Sequence, residues 1–177
     1  MTLVEFIQAE LRRLHTALDR GVADLTPEQW HAIPGGNPRA NSIAFEIWHY
    51  ARTEDNIVRF ILQGRRPTVW MEGVWAERLG LPPVAQGTGM SVADAQALRI
   101  NDLDAFGDYV RAVRASTDAY LAQPDAATFD QPVMVKPLGE MPAVRALGQV
   151  VVTHGFTHLG EIELIRTLLG LKPAIGV

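Results

Sequence analysis

The chain has 177 residues, with 47% hydrophobic and 20% charged side chains and a formal net charge of −4, the profile of one soluble globular domain spanning residues 1–177. Lys and Arg are scattered, so no basic stripe marks a nucleic-acid partner, and no apolar run approaches the roughly 20 residues of a membrane helix. Zero cysteines remove disulfides, thiolate metal sites and a cysteine nucleophile; with an N-terminus, "MTLVEFIQAELRRLH", that is amphipathic rather than a signal peptide, they fit a cytoplasmic protein.

The first predicted helix runs from about Leu3 to Gly21, where Ile7, Leu11, Leu14 and Leu18 recur at helical spacing. A loop, "PGGNPRANS", precedes the second, with Asn41 or Ser42 as N-cap and an end near Gln63, before Gly64. A short amphipathic piece, "MEGVWAERLG", comes next, then the loop "LPPVAQGTGM". Ser91 and Asp94 make a capping-box-like start to a third helix that carries Leu103, Phe106, Val110 and Val113 and ends near Gln123, before Pro124. Pro132, Pro137 and Pro142 punctuate the next stretch; "QPVMVKP" within it is extended at most, and no strand alternation is convincing. The last helix reaches about Leu169, with Gly170 as its stop signal. Four amphipathic helices of this length predict an all-α four-helix bundle with a short extra helix and long loops in the connections.

On the last helix, Leu147, Val150, Val151, His154, His158, Glu161, Ile162, Ile165 and Leu168 share one face at 100° per residue, while Gln149, Gly160, Glu163, Arg166 and Thr167 lie away from it. Two of the chain's five histidines therefore stand in the apolar stripe, with Glu161 one turn beyond His158. Buried polar groups need partners. Imidazoles four residues apart can converge on a metal ion, or both rings can be neutral and hydrogen-bonded in the core. The residue after His154 is Gly155, so the H-E-x-x-H zincin pattern is absent. Glu46 and His49 have the Glu-x-x-His spacing of a di-iron bundle, but the last helix carries the reverse order, His158 then Glu161.

His49 shares its helix face with Ser42, Phe45, Glu46, Arg52, Thr53, Asn56 and Phe60, a mixed surface, whereas the apolar stripe of Ile43, Ile47, Ala51, Val58 and Ile61 is nearly opposite. Periodicity leaves two readings: a solvated face with an exposed histidine, or the lining of a pocket whose apolar back packs elsewhere, on another subunit for example. His15 beside the first helix's stripe and His31 after Trp30 read as structural or solvated. Arg52, Glu54 and Asp55 read as a salt-bridged helix surface, and Trp48, Trp70 and Trp75 as packing.

In "LTPEQWHAIPGGNPRANSIAFEIWHYARTEDN", "WAERLGL" and "VVTHGFTHLGEIELIRTLLG" the sequence resembles the DinB/YfiT-like superfamily of metal-dependent enzymes, over most of its length. The resemblance implies a four-helix bundle in up-down-down-up order, a homodimer, and one divalent metal held by a second-helix histidine and a last-helix His-x-x-x-His pair. Those positions fall on His49, His154 and His158. Imidazole ligation suits zinc or nickel, with iron or manganese as alternatives. Relatives include glutathione-, mycothiol- and bacillithiol-dependent transferases and isomerases. The implied activity is a low-molecular-weight-thiol-dependent S-transferase, in which the metal lowers the thiol's pKa for attack on an electrophilic substrate, or a related hydrolase using metal-bound water. Within that scheme Glu161 would orient a ligand histidine or act as general base, and Arg52 would meet an anionic group. The alternative is a non-catalytic dimeric bundle with a structural or vestigial metal site.

Overall fold

The computed structural model describes residues 1–122 and 126–175. Its first helix, α1 (Leu3–Val22), opens with a reciprocal cap: the Glu5 N–H donates to the Thr2 hydroxyl, and the Glu5 carboxylate accepts the Thr2 N–H. A short α2 (Pro27–His31) and a 3-10 turn (Pro34–Gly36) lead to α3 (Ile43–Asp55), whose cap Ser42 accepts the Phe45 N–H at 3.2 Å. α3 continues into π-helical turns over Asn56–Ile61. Then come single-turn α4 (Val69–Glu72) and α5 (Trp75–Leu79), α6 (Val92–Ala97), α7 (Leu103–Leu121) and α8 (Ala126–Asp130). An antiparallel hairpin pairs β1 (Pro132–Val135) with β2 (Gly139–Pro142), Val133 opposite Met141. The last helix starts as α9 (Ala143–Arg145), widens into π-helical turns over Ala146–Thr153, and ends as α10 (His154–Leu168). Among the described residues no helix is long and apolar enough to cross a membrane.

The fold is all-α apart from that hairpin. α1 and α3 each pack against α7 and α10. One core cluster joins Leu14 and Leu18 to Ile43, Ile47, Trp48, Phe106, Tyr109 and Ile162; a second joins Ile7 and Leu11 to Ile57, Val58, Leu121, Leu147 and Val151. The start of α1 thus meets the ends of α3 and α7 and the start of the last helix. α1 and the last helix run one way, α3 and α7 the other.

α3 is the central helix, and here the structure corrects the sequence reading. Every residue of it except Thr53 is buried, so neither face is solvated. The stripe of Ile43, Ile47, Ala51 and Val58 is covered within this chain and needs no second subunit. Arg52, Glu54 and Asp55, expected as surface ion pairs, are 2%, 1% and 1% exposed. The two carboxylates have found internal partners: Glu54 meets His15 Nε2 at 2.9 Å and accepts the Thr117 hydroxyl at 2.7 Å, while Asp55 accepts the Val69 and Trp70 N–H groups. The Arg52 guanidinium lies 4.5 Å over the Trp70 ring. His31 is structural too, its Nε2 accepting the Ile100 N–H at 3.0 Å.

The third helix differs as well. Ser91 caps only α6, and Asp102 caps α7 afresh by accepting the Ala105 N–H at 2.8 Å. The interruption buries both Leu98 and Ile100, which an unbroken helix would hold about 200° apart. The expected end at Gln123–Pro124 lies outside the described residues; α7 closes at Leu121. "QPVMVKP" is a strand, with prolines at the hairpin's first and last paired positions, Pro132 and Pro142. Its brevity hid the alternation.

On the last helix the π turns carry extra residues per turn and rotate the residues beyond them about the helix axis. The buried positions run Ala146, Leu147, Val151, Gly155, His158, Leu159, Ile162, Ile165 and Arg166. Arg166, expected to face away, is 1% exposed and binds the Asp24 carboxylate at 2.6 and 3.0 Å and the Gly21 carbonyl at 2.9 Å. Leu168, expected inside, is exposed.

Candidate metal centre

α3 and α10 lie side by side, and their contact brings His49, His154 and His158 together. One ring nitrogen from each lies within 4.8 Å of the others. The rings are mutually near-perpendicular: His49 makes 85° with His154 and 81° with His158, and the two α10 rings make 88°. Three ring nitrogens this close, on mutually near-perpendicular rings, can hold one ion between them.

Local sequence explains the approach. Gly155 comes directly after His154, and a Cβ there would lie 2.3 Å from Leu14 Cδ2 and 2.6 Å from the Tyr50 ring, so only glycine lets α10 sit this close to α1 and α3. His49 is held on its other side. Its ring stacks on Phe45, 13° from coplanar, and its Nδ1 donates to the Gln86 carbonyl. The next residue, Gly87, has φ +99 and would place a Cβ 2.5 Å from His49 Nδ1. The loop after α5 therefore lies directly against the histidine.

His158 is fixed by carboxylates. Its Nδ1 meets Glu46 Oε2 at 2.5 Å and Glu161 Oε2 at 2.9 Å. The other oxygen of Glu46 accepts from the Asn41 side-chain amide at 2.8 Å. Asn41, Glu46 and His158 thus form a relay that sets the imidazole tautomer, with Nδ1–H toward the carboxylates and Nε2 toward the cluster. That Nε2 lies 2.9 Å from His154 Nε2. His154 Nδ1 is buried with no partner among the described residues.

The electrostatics derive from burial and charge. Burial lowers the pKa of His49, and burial together with the neighbouring His158 lowers that of His154 to about 4. Burial also disfavours charge on His158, but hydrogen bonds to Glu161 and Glu46 outweigh it and raise its pKa to about 9. Burial raises Glu46, while the bond to His158 lowers Glu161. Two facing imidazole nitrogens 2.9 Å apart cannot both present lone pairs without a cation or proton between them. A proton on His158 meets that need; so does a metal ion. Neutral imidazoles backed by a carboxylate and a carbonyl are the donors a divalent ion takes, so the residues present fit the group.

The sequence-predicted residues divide cleanly. The structure brings together His49, His154, His158 and Glu161. It does not bring in Arg52, which turns toward Trp70 and is absent from the cleft of about 320 Å³ at the cluster, lined by Arg39, Asn41, Glu46, His49, His158 and Glu161 among others. Sequence reasoning misses the role of Glu46, although its spacing from His49 is visible, and that of Asn41, which reads only as a helix cap. The carbonyl of Gln86 has no side-chain signature in sequence.

A sequence profile described as the DinB superfamily matches residues 10–162. The fold is similar to the crystal structure of a conserved protein from Enterococcus faecalis, with a TM-score of 0.82 at 20% identity, covering 96% of this chain and 99% of that one. No curated protein matches the sequence.

Proposed function

The chain belongs to the DinB superfamily, and we propose that it is a divalent-metal-dependent enzyme that transfers a low-molecular-weight thiol to an electrophilic carbon. The observation that carries this reading is the pair of Nε2 atoms of His154 and His158, 2.9 Å apart on near-perpendicular rings, with His49 completing the third direction. His49, His154 and His158 would hold the ion, as zinc or nickel, with iron or manganese as alternatives. When bound there, the ion supplies Lewis acidity that lowers the pKa of a thiol, or of water in a related hydrolase.

The chain's own residues do the rest. Glu46 and the Gln86 carbonyl orient His158 and His49. Glu161 is half-exposed at the cleft, placed to take the thiol proton. The sulfur then attacks the electrophilic carbon, a C–S bond forms, and the leaving group departs with the electron pair of its bond. The products are a thioether and the acid of the leaving group. Arg39 at the same cleft suits the carboxylates that glutathione and bacillithiol carry. Zero cysteines in the chain agree with a nucleophile brought from outside.

Incubating the metal-loaded protein with 1-chloro-2,4-dinitrobenzene and each of glutathione, mycothiol and bacillithiol tests the reading. Thioether formation that disappears in His154→Ala is expected; equal rates in wild type and His154→Ala would overturn it.

A further inference from the structure

Beside His154 lies a second and larger cleft, of about 830 Å³, a size that takes a drug-sized ligand. Its walls come from the π-helical end of α3, the β-hairpin and the loop that crosses His49. That loop divides two spaces: Gln86 and Thr88 line this cleft while Gly87 lines the polar one. His154 stands in the wall of the larger cleft, His49 and His158 in that of the smaller.

The character of the larger cleft is distinct. Phe60, Met134 and Leu138 line it and are 37%, 53% and 52% exposed, large apolar side chains left to solvent around one depression. Among the described residues Arg65 and Lys136 are its two cations, and no Asp or Glu lines it. Neither cation forms an ion pair among the described residues. Arg65 holds a left-handed backbone, φ 68, although it is not glycine; its N–H donates to the Phe60 carbonyl at 2.8 Å. That turn fixes its place at the rim.

The geometry points to this cleft as the seat of an amphipathic, monoanionic substrate, whose apolar body covers Phe60, Met134 and Leu138 and whose anionic group meets Arg65 and Lys136. Its role as substrate rests on the metal-dependent reading above, because His154 is the only cluster histidine that lines it.

Octanoate, octan-1-ol and octylamine share one chain and differ in charge, so they separate the two features. Each is titrated against the protein as isolated, by displacement of 1-anilinonaphthalene-8-sulfonate, with metal content measured on the same samples. Octanoate binds the wild type about fivefold tighter than octan-1-ol, and octylamine binds weakest, as expected for a partly exposed ion pair. Lys136→Glu and Arg65→Glu each remove that preference without changing metal content, and Leu138→Glu weakens both octanoate and octan-1-ol. Equal affinity for octanoate and octan-1-ol in the wild type overturns the proposal. So does octanoate affinity that is unmoved by Lys136→Glu and Arg65→Glu but lost in His154→Ala, since the carboxylate would then sit on the metal centre. Octanoate preference in protein that binds no metal supports the cleft's specificity while sinking the metal-dependent reading.

Discussion

The Nδ1 of His158 on the last helix lies 2.5 Å from Oε2 of Glu46 on α3, 112 positions earlier in the chain. This contact ties the two helices that carry the histidine cluster together and aims Nε2 of His158 at its neighbour. A ligand histidine backed by a carboxylate is more basic and held in one tautomer.

Glu46→Gln therefore weakens metal binding by about 10- to 100-fold, read by competition with a chelator of known affinity. Glu161→Gln, at a half-exposed position, leaves metal content near that of wild type and lowers the rate of thiol transfer. If the two variants exchange these effects, Glu46 is the proton acceptor and Glu161 the support.

Metal must displace a proton from His158, whose pKa is raised to about 9. At pH 7 binding releases close to one proton, measured by calorimetry in buffers of different ionisation enthalpy. Release near zero contradicts the assigned protonation.

The chelator-treated protein should show a maximum in thermal stability near the ordinary histidine pKa of about 6.5. The raised pKa of His158 contributes stability below that value and loses it as pH rises through about 9. The lowered pKa of His154 contributes stability above it and loses it as pH falls through about 4. Melting temperatures across pH 4 to 9 in excess chelator measure both arms. A curve that climbs steadily to pH 9 rules out the charged His158.

Gly87→Ala forces a side chain into a left-handed backbone at a cost of roughly 1–2 kcal/mol and against His49 Nδ1. Lower stability and weaker metal binding are expected together. A loss of stability with metal affinity intact would show that the loop does not position His49.

Asp55→Ala leaves the buried Val69 and Trp70 N–H groups without their acceptor. The expected destabilisation is about 2–5 kcal/mol, at about 1–3 kcal/mol for each unsatisfied group, by urea unfolding. A change under about 1 kcal/mol would mean that water reaches the two N–H groups.

Much of the fold and of the metal centre is legible in the sequence. The spacing of Ile7, Leu11, Leu14 and Leu18, the Ser42 cap and the His154–His158 spacing all carry local signals. What escapes is set by long-range packing. Arg52, Glu54 and Asp55 look like surface ion pairs because periodicity cannot show that α3 is enclosed on all sides. Arg166 looks outward because a uniform 100° step does not anticipate the π turns over Ala146–Thr153. Glu46 has a ligand's spacing from His49, and the order of residues in the last helix argues against a di-iron role for it. Its contact is instead with His158, a relation between helices that no single-helix pattern contains.

The most direct test is the metal content of protein purified from medium supplemented with zinc and nickel, for wild type, His49→Ala and His154→Ala, with circular dichroism to confirm folding. About one divalent ion per chain in wild type, and well under half of that in either folded variant, is the predicted result for a three-ligand site. Folded wild-type protein without a stoichiometric ion, or variants that keep it, would contradict the metal centre.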